Sequence, residues 1–163
     1  MGPTIMGFKN VLTGKAEIRD FGSPRRSSVP TQVRTEDLLQ ELVKILASLR
    51  VIVEGLPAVV PSEMQVWSVY AGTEKTVAIL KFRLGAERPG IFSVPPLYEN
   101  QAELLTTSLE KMTDASLKMK ANQLLAGLEA LRCARDNLRA YLSEERKTRM
   151  RAKRRALSTG TSS

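Results

Sequence analysis

From Glu99 to Ala126 the chain has no glycine or proline, and leucines recur through this stretch and on to Leu142. Without those two interrupters, and with good helix formers dominating, helix is the expected state. Leu105, Leu109 and Met112 keep one register, and Leu117, Ala121, Leu124, Leu128, Leu131, Leu138 and Leu142 keep another, interrupted by Arg135. The register shifts around Thr113–Asp114–Ala115–Ser116, which predicts a bend or a break between two helices there. Taken unbroken to about Lys147, the helix would be on the order of 70 Å long at ~1.5 Å per residue. A helix of that length needs apolar cover along much of it.

A first helix is signposted upstream. Thr35 suits an N-cap, Glu36 and Asp37 suit the positive end of the helix dipole, and Leu38, Leu42, Ile45, Leu49 and Ile52 recur at steps of four and three. Leu39, Leu46 and Val53 widen that stripe, Gly55 offers a left-handed stop, and Pro57 forbids continuation. At about 20 residues this helix cannot cover one more than twice its length. The leucine stripe is therefore expected to pack on other chains, as a coiled-coil-like seam with partner helices.

The segment between them is ambiguous. Met64–Tyr70 and Thr76–Leu84 are rich in β-formers and flank Ala71–Gly72–Thr73–Glu74, a plausible hairpin loop. A helical reading competes: Ser62 and Gln65 form a capping-box pattern, and Val66, Tyr70, Thr73, Val77, Leu80 and Leu84 keep the four-three rhythm. Gly72 and the β-branched residues favour the hairpin, with Trp67 and Tyr70 in its core. The glycines and prolines of 85–97 make a connector with room for an edge strand at Ile91–Val94. The expected fold is thus mainly α with a central β-hairpin (α+β), and all-α is the alternative. Four segments follow: a flexible leader over 1–34, a helix-plus-hairpin module over 35–97, a long amphipathic helix over 98–145, and a basic tail over 146–163.

Charge is concentrated in that tail. Of the 25 lysines and arginines, seven lie between Arg146 and Arg155 (Arg146, Lys147, Arg149, Arg151, Lys153, Arg154 and Arg155), leaving 18 against 17 acids elsewhere. A near-neutral body with a basic arm suits nuclear import, phosphate contacts to nucleic acid, an acidic protein surface, or plain solubility. Few aromatics accompany the arm, so single-stranded base recognition is not expected. Mutual repulsion among these charges predicts an arm that is mobile until a polyanion neutralises it.

The leader carries Arg25–Arg26–Ser27–Ser28–Val29 and Ser23–Pro24, which fit basophilic and proline-directed kinase patterns at Ser28 and Ser23. Its short apolar pieces, Ile5–Phe8 and Val11–Leu12, suit docking as linear segments. Histidine is absent, which removes the usual general base, the commonest zinc ligand and every imidazole triad. Cys133 is the single cysteine, which points to a reducing compartment. No phosphate-cradling glycine motif occurs, and Glu144–Glu145 read as salt partners for the arginine run. No catalytic residue, metal or cofactor is expected, and no run of apolar residues is long enough to span a membrane. The sequence thus predicts a non-enzymatic assembly subunit of the nucleus or the cytoplasm and cytoskeleton, joined to helical partner subunits through Leu105–Leu142. The alternative is a ribosomal or chromatin subunit contacting phosphates through its arm. A mitochondrial presequence is the weaker reading of the leader.

Overall fold

The computed structural model describes residues 33–85 and 96–160. Residues 1–32 of the leader, with Ser23 and Ser28, and the edge strand expected at Ile91–Val94 lie outside them. Among the described residues there are four helices and no strand: α1 (Thr35–Gly55), α2 (Glu63–Arg83), α3 (Gln101–Lys120) and α4 (Leu124–Thr159). The all-α alternative fits, and the β-hairpin does not.

The hairpin reading fails at α2 for identifiable reasons. Ser62 Oγ accepts from the Gln65 amide at 3.2 Å, and the Ser62 amide donates to Gln65 Oε1 at 2.8 Å, so the capping box starts a helix where the sequence offered one. The β-branched residues then serve a helical core: Val66, Val69, Thr73, Thr76 and Val77 are all buried. Burial leaves the two threonine hydroxyls satisfied, since Thr73 donates to the Val69 carbonyl at 2.8 Å and Thr76 to that of Gly72 at 2.9 Å. Strand propensity measures fit to a half-buried surface, and tertiary packing supplied such a surface to a helix instead. Gly72 is a mid-helix residue, not a loop residue. A Cβ there would stand 2.9 Å from Cδ1 of Ile45, so glycine permits a close approach of α1.

The predicted single long helix is two antiparallel helices. No break occurs at Thr113–Ser116, through which α3 runs; the chain reverses at Ala121–Gln123. Asn122 takes the left-handed conformation at φ 59°. Its amide donates to the Met119 carbonyl at 3.0 Å and that of Gln123 to Lys118 at 2.8 Å, the paired bonds of a Schellman stop with asparagine in the place usual for glycine. Small residues let the two helices close. Gly127 leaves only 2.7 Å between a notional Cβ and Met119 Cγ, and Ser108 Oγ donates across the interface to the Ala134 carbonyl at 3.2 Å.

The helices pack as two stacked hairpins: α1 against α2 and α3, and α4 against α2 and α3. Cross-contacts of α2 with α4 (Tyr70 with Arg139, Glu74 with Arg135, Glu63 with Arg149) make that pair antiparallel too. Being antiparallel to the same helix, α2 and α3 run the same way, so Leu84 and Asn100 stand at opposite ends of the bundle. The core runs down the middle, from Leu42 and Leu49 through Val66 and Leu80 to Leu105, Met112, Leu128, Leu131 and Leu138, all at zero exposure. At roughly 1.5–3 kcal/mol for each large aliphatic side chain, this core dominates the stability. Gly55 is not left-handed; α1 ends in tight turns, with Leu56 N bonded to Val53 O at 3.1 Å and Val59 N to Gly55 O at 2.8 Å.

Candidate interaction surfaces

The leucine stripe singled out in the sequence lies mostly inside the chain's own bundle. Leu105, Met112, Leu128, Leu131, Leu138 and Leu142 are buried, Leu109 and Leu124 are half-buried, and Leu117 alone of the set is well exposed, at 60%. α1 is too short to cover the stripe, but the reversal at Asn122 removes that need. Once folded back, α3 and α4 cover each other, and α1 and α2 complete the enclosure.

Leu117 lines an open groove between α1 and α3, of about 270 Å³, with Val43, Leu46 and Ala47, the small polar Thr113 and Ser116, and the cations Arg50 and Lys120.

The basic arm is not separate from the helical body. α4 continues through it to Thr159, and every residue from Arg146 to Gly160 is exposed. Good helix formers and a nucleus already built in the bundle let the helix propagate without packing. Two of the seven cations are partnered: Arg149 with Glu63 at the start of α2, and Lys147 with Glu144 at 2.8 Å. The hydrogen bond from Lys147 holds the Glu144 carboxyl below its ordinary range. Arg146, Arg151, Lys153, Arg154 and Arg155 form no salt bridge among the described residues.

Sequence reasoning missed the outer face of α2. Met64 is 78% exposed, Trp67 47% and Phe82 60%, and the small Ala71 and Ala78 fall between them on the same side of the helix. Trp67 was expected in the core; it stands at the surface instead, edge-on to Tyr70 with ring centroids 5.3 Å apart and planes at 85°. Tyr70 Oη accepts from Arg139 Nη2 at 3.1 Å and Nε at 3.3 Å, which raises the arginine pKa further above its ordinary value. This chain of contacts ties the apolar face of α2 to the exposed flank of α4. The available signal was negative: Met64, Trp67 and Phe82 stand outside the four-three rhythm that the helical reading assigned to the core.

Among the described residues no three His, Cys, Asp or Glu side chains gather to hold a metal ion, and no helix is long and apolar enough to cross a membrane. Cys133 is exposed on α4. Comparison with protein families, curated proteins and solved structures returned no match to this chain.

Proposed function

We propose that this chain is a non-enzymatic structural subunit of a hetero-oligomeric complex, and that it binds a partner helix. The observation that carries the reading is that α2 is apolar on both sides. Its inner side holds Val66, Val69, Val77 and Leu80, and its outer side holds Met64, Trp67 and Phe82. A helix apolar all round is ordinarily buried all round. The surface leucines expected to form the seam are thus replaced, in this proposal, by the outer face of α2, with Leu117 and the α1–α3 groove as a secondary contact.

The test is cross-linking in the native cell. Lys75, exposed among the apolar residues of α2, should link to a helix of a partner subunit. The link should vanish when Met64 and Phe82 are replaced together by glutamate while the bundle stays folded by circular dichroism. A complex that forms unchanged with both substitutions ends the reading.

A second reading is favoured by the exposed basic end of α4: a nucleic-acid-associated subunit that contacts phosphates through Arg146–Arg155. A salt-dependent affinity for duplex nucleic acid should then lose slope by about 0.7–0.9 per phosphate contact removed. Retention of that affinity after deletion of Arg146–Ser163 would dismiss it.

A further inference from the structure

Resting on the assembly reading, we infer that the occupant of the α2 face is an amphipathic helix with an acidic flank, supplied by a different protein. The apolar strip from Met64 to Phe82 is about 27 Å long at ~1.5 Å per residue, which matches a helix of about five turns. Its side chains repeat at helix-packing intervals: Met64, Trp67, Ala71, Ala78 and Phe82.

The charges beside the strip select the partner. α2 has two acids, and both face cations of α4: Glu63 pairs with Arg149, and Glu74 lies 3.5 Å from Arg135 without a hydrogen bond. The remaining charges beside the strip are mainly cationic; Asp136, the acid near Arg139, is already paired with Arg135 at 3.0 Å. Arg139 is exposed, donates to the Tyr70 hydroxyl at 3.1 Å and forms no salt bridge among the described residues, although Asp136 and Glu74 act on it electrostatically. Arg146, exposed seven residues further along α4, shares its side of that helix. Because α2 and α4 run antiparallel with Tyr70 against Arg139 and Glu63 against Arg149, Arg146 is level with the Met64 end of the strip. Lys75 adds a third charge on α2 itself.

A second copy of the chain is disfavoured by the same bookkeeping of charge. Two copies face to face would bring Lys75, Arg139 and Arg146 together with no spare α2 carboxylate to meet them, in a chain already at +8. A helix with leucines on one side and glutamates along one edge meets both halves of the surface.

Trp67 is the chain's single tryptophan and stands in the strip, so its fluorescence reports on occupancy directly. The probes are two designed helical peptides of about three heptads, each with leucine at a and d, one with glutamate and one with lysine at e and g. The glutamate peptide should bind the full chain with a blue shift of Trp67. Arg139→Glu with Arg146→Glu should weaken it at least about tenfold and improve binding of the lysine peptide. Arg146→Glu alone, at an exposed residue that forms no salt bridge among the described residues, should give the same sign and guards against loss of the Tyr70 contact. Equal binding of both peptides, unmoved by either variant, overturns the acidic flank and leaves the α2 face as a docking site. No Trp67 response to either peptide overturns the inference outright, and the Lys75 cross-link then judges the assembly reading separately. A Trp67 shift on vesicles of phosphatidylcholine and phosphatidylserine but not with peptide would assign the face to a membrane surface. A shift with rising protein concentration alone, matched by dimer in sedimentation, would assign it to a second copy. Either result sinks the proposal.

Discussion

Residues 124–142 and 146–159 belong to one continuous helix and meet opposite surroundings. The first part puts Leu128, Leu131, Ala134, Leu138 and Leu142 into the core, and the second puts nothing there. The difference separates what makes a helix from what makes a fold. Local propensity and an existing nucleus suffice to extend α4 past Glu145, whereas the first part is held by burial that no short-range preference supplies. If that contrast is right, substitutions of the same helix should have effects that differ by several kcal/mol according to position.

The largest effect should come from Leu128→Asp. It removes a fully buried side chain and places a charge in the core that α4 shares with α2 and α3, so the loss should be at least about 4 kcal/mol. Far-UV circular dichroism should show an unfolded or molten chain at ambient temperature. A folded variant would break the comparison by showing that this half of α4 is not core.

Gly127→Val should cost about 2 kcal/mol in a denaturant titration, because the first added carbon already overlaps Met119 Cγ and the buried methionine or α3 must shift. Stability equal to wild type would mean that the α3–α4 approach is looser than the contacts require. Asn122→Ala should cost about 1 kcal/mol, since alanine resists the left-handed conformation that ends α3, while Asn122→Gly should match or exceed wild type. Equal melting temperatures for the three chains would show that the reversal does not depend on that residue.

The smallest effect should follow deletion of Arg146–Ser163. Helical signal should fall with the lost residues, yet the melting transition should move by no more than about 1 kcal/mol equivalent, because Arg149–Glu63 is the one ion pair from this segment to another helix among the described residues and its arginine is exposed. A large drop would reveal that the basic end supports the bundle.

Parts of this architecture were plain in the residue order. The body of α1 was legible, because its apolar residues recur at steps of four and three and Pro57 follows, although Gly55 does not supply the left-handed stop and Thr35 already lies in the helix. The start of α3 was legible too, near Glu99, where the Asn100 side chain accepts from the Glu103 amide at 3.1 Å. α2 was half-legible: its capping box was visible, but valines and threonines with an interior glycine resembled a hairpin. The stop at Asn122 is not legible, because asparagine is common in ordinary loops and its left-handed conformation is recognised only by the bonds it closes. The α2 face was invisible for a related reason, since an apolar residue shows its direction only when its neighbours are placed.

The sequence by itself determined that the chain is helical at both ends of its described body, that its cations gather after Arg146, and that imidazole chemistry is absent. These are properties of near neighbours and of composition, which need no folding to evaluate. Only the tertiary structure decided that the leucine stripe is spent inside the bundle while Met64, Trp67 and Phe82 are left outside it. Which surface a stripe covers depends on where the chain reverses. That reversal rests on one asparagine and a few small residues whose value lies wholly in how closely two distant segments can approach.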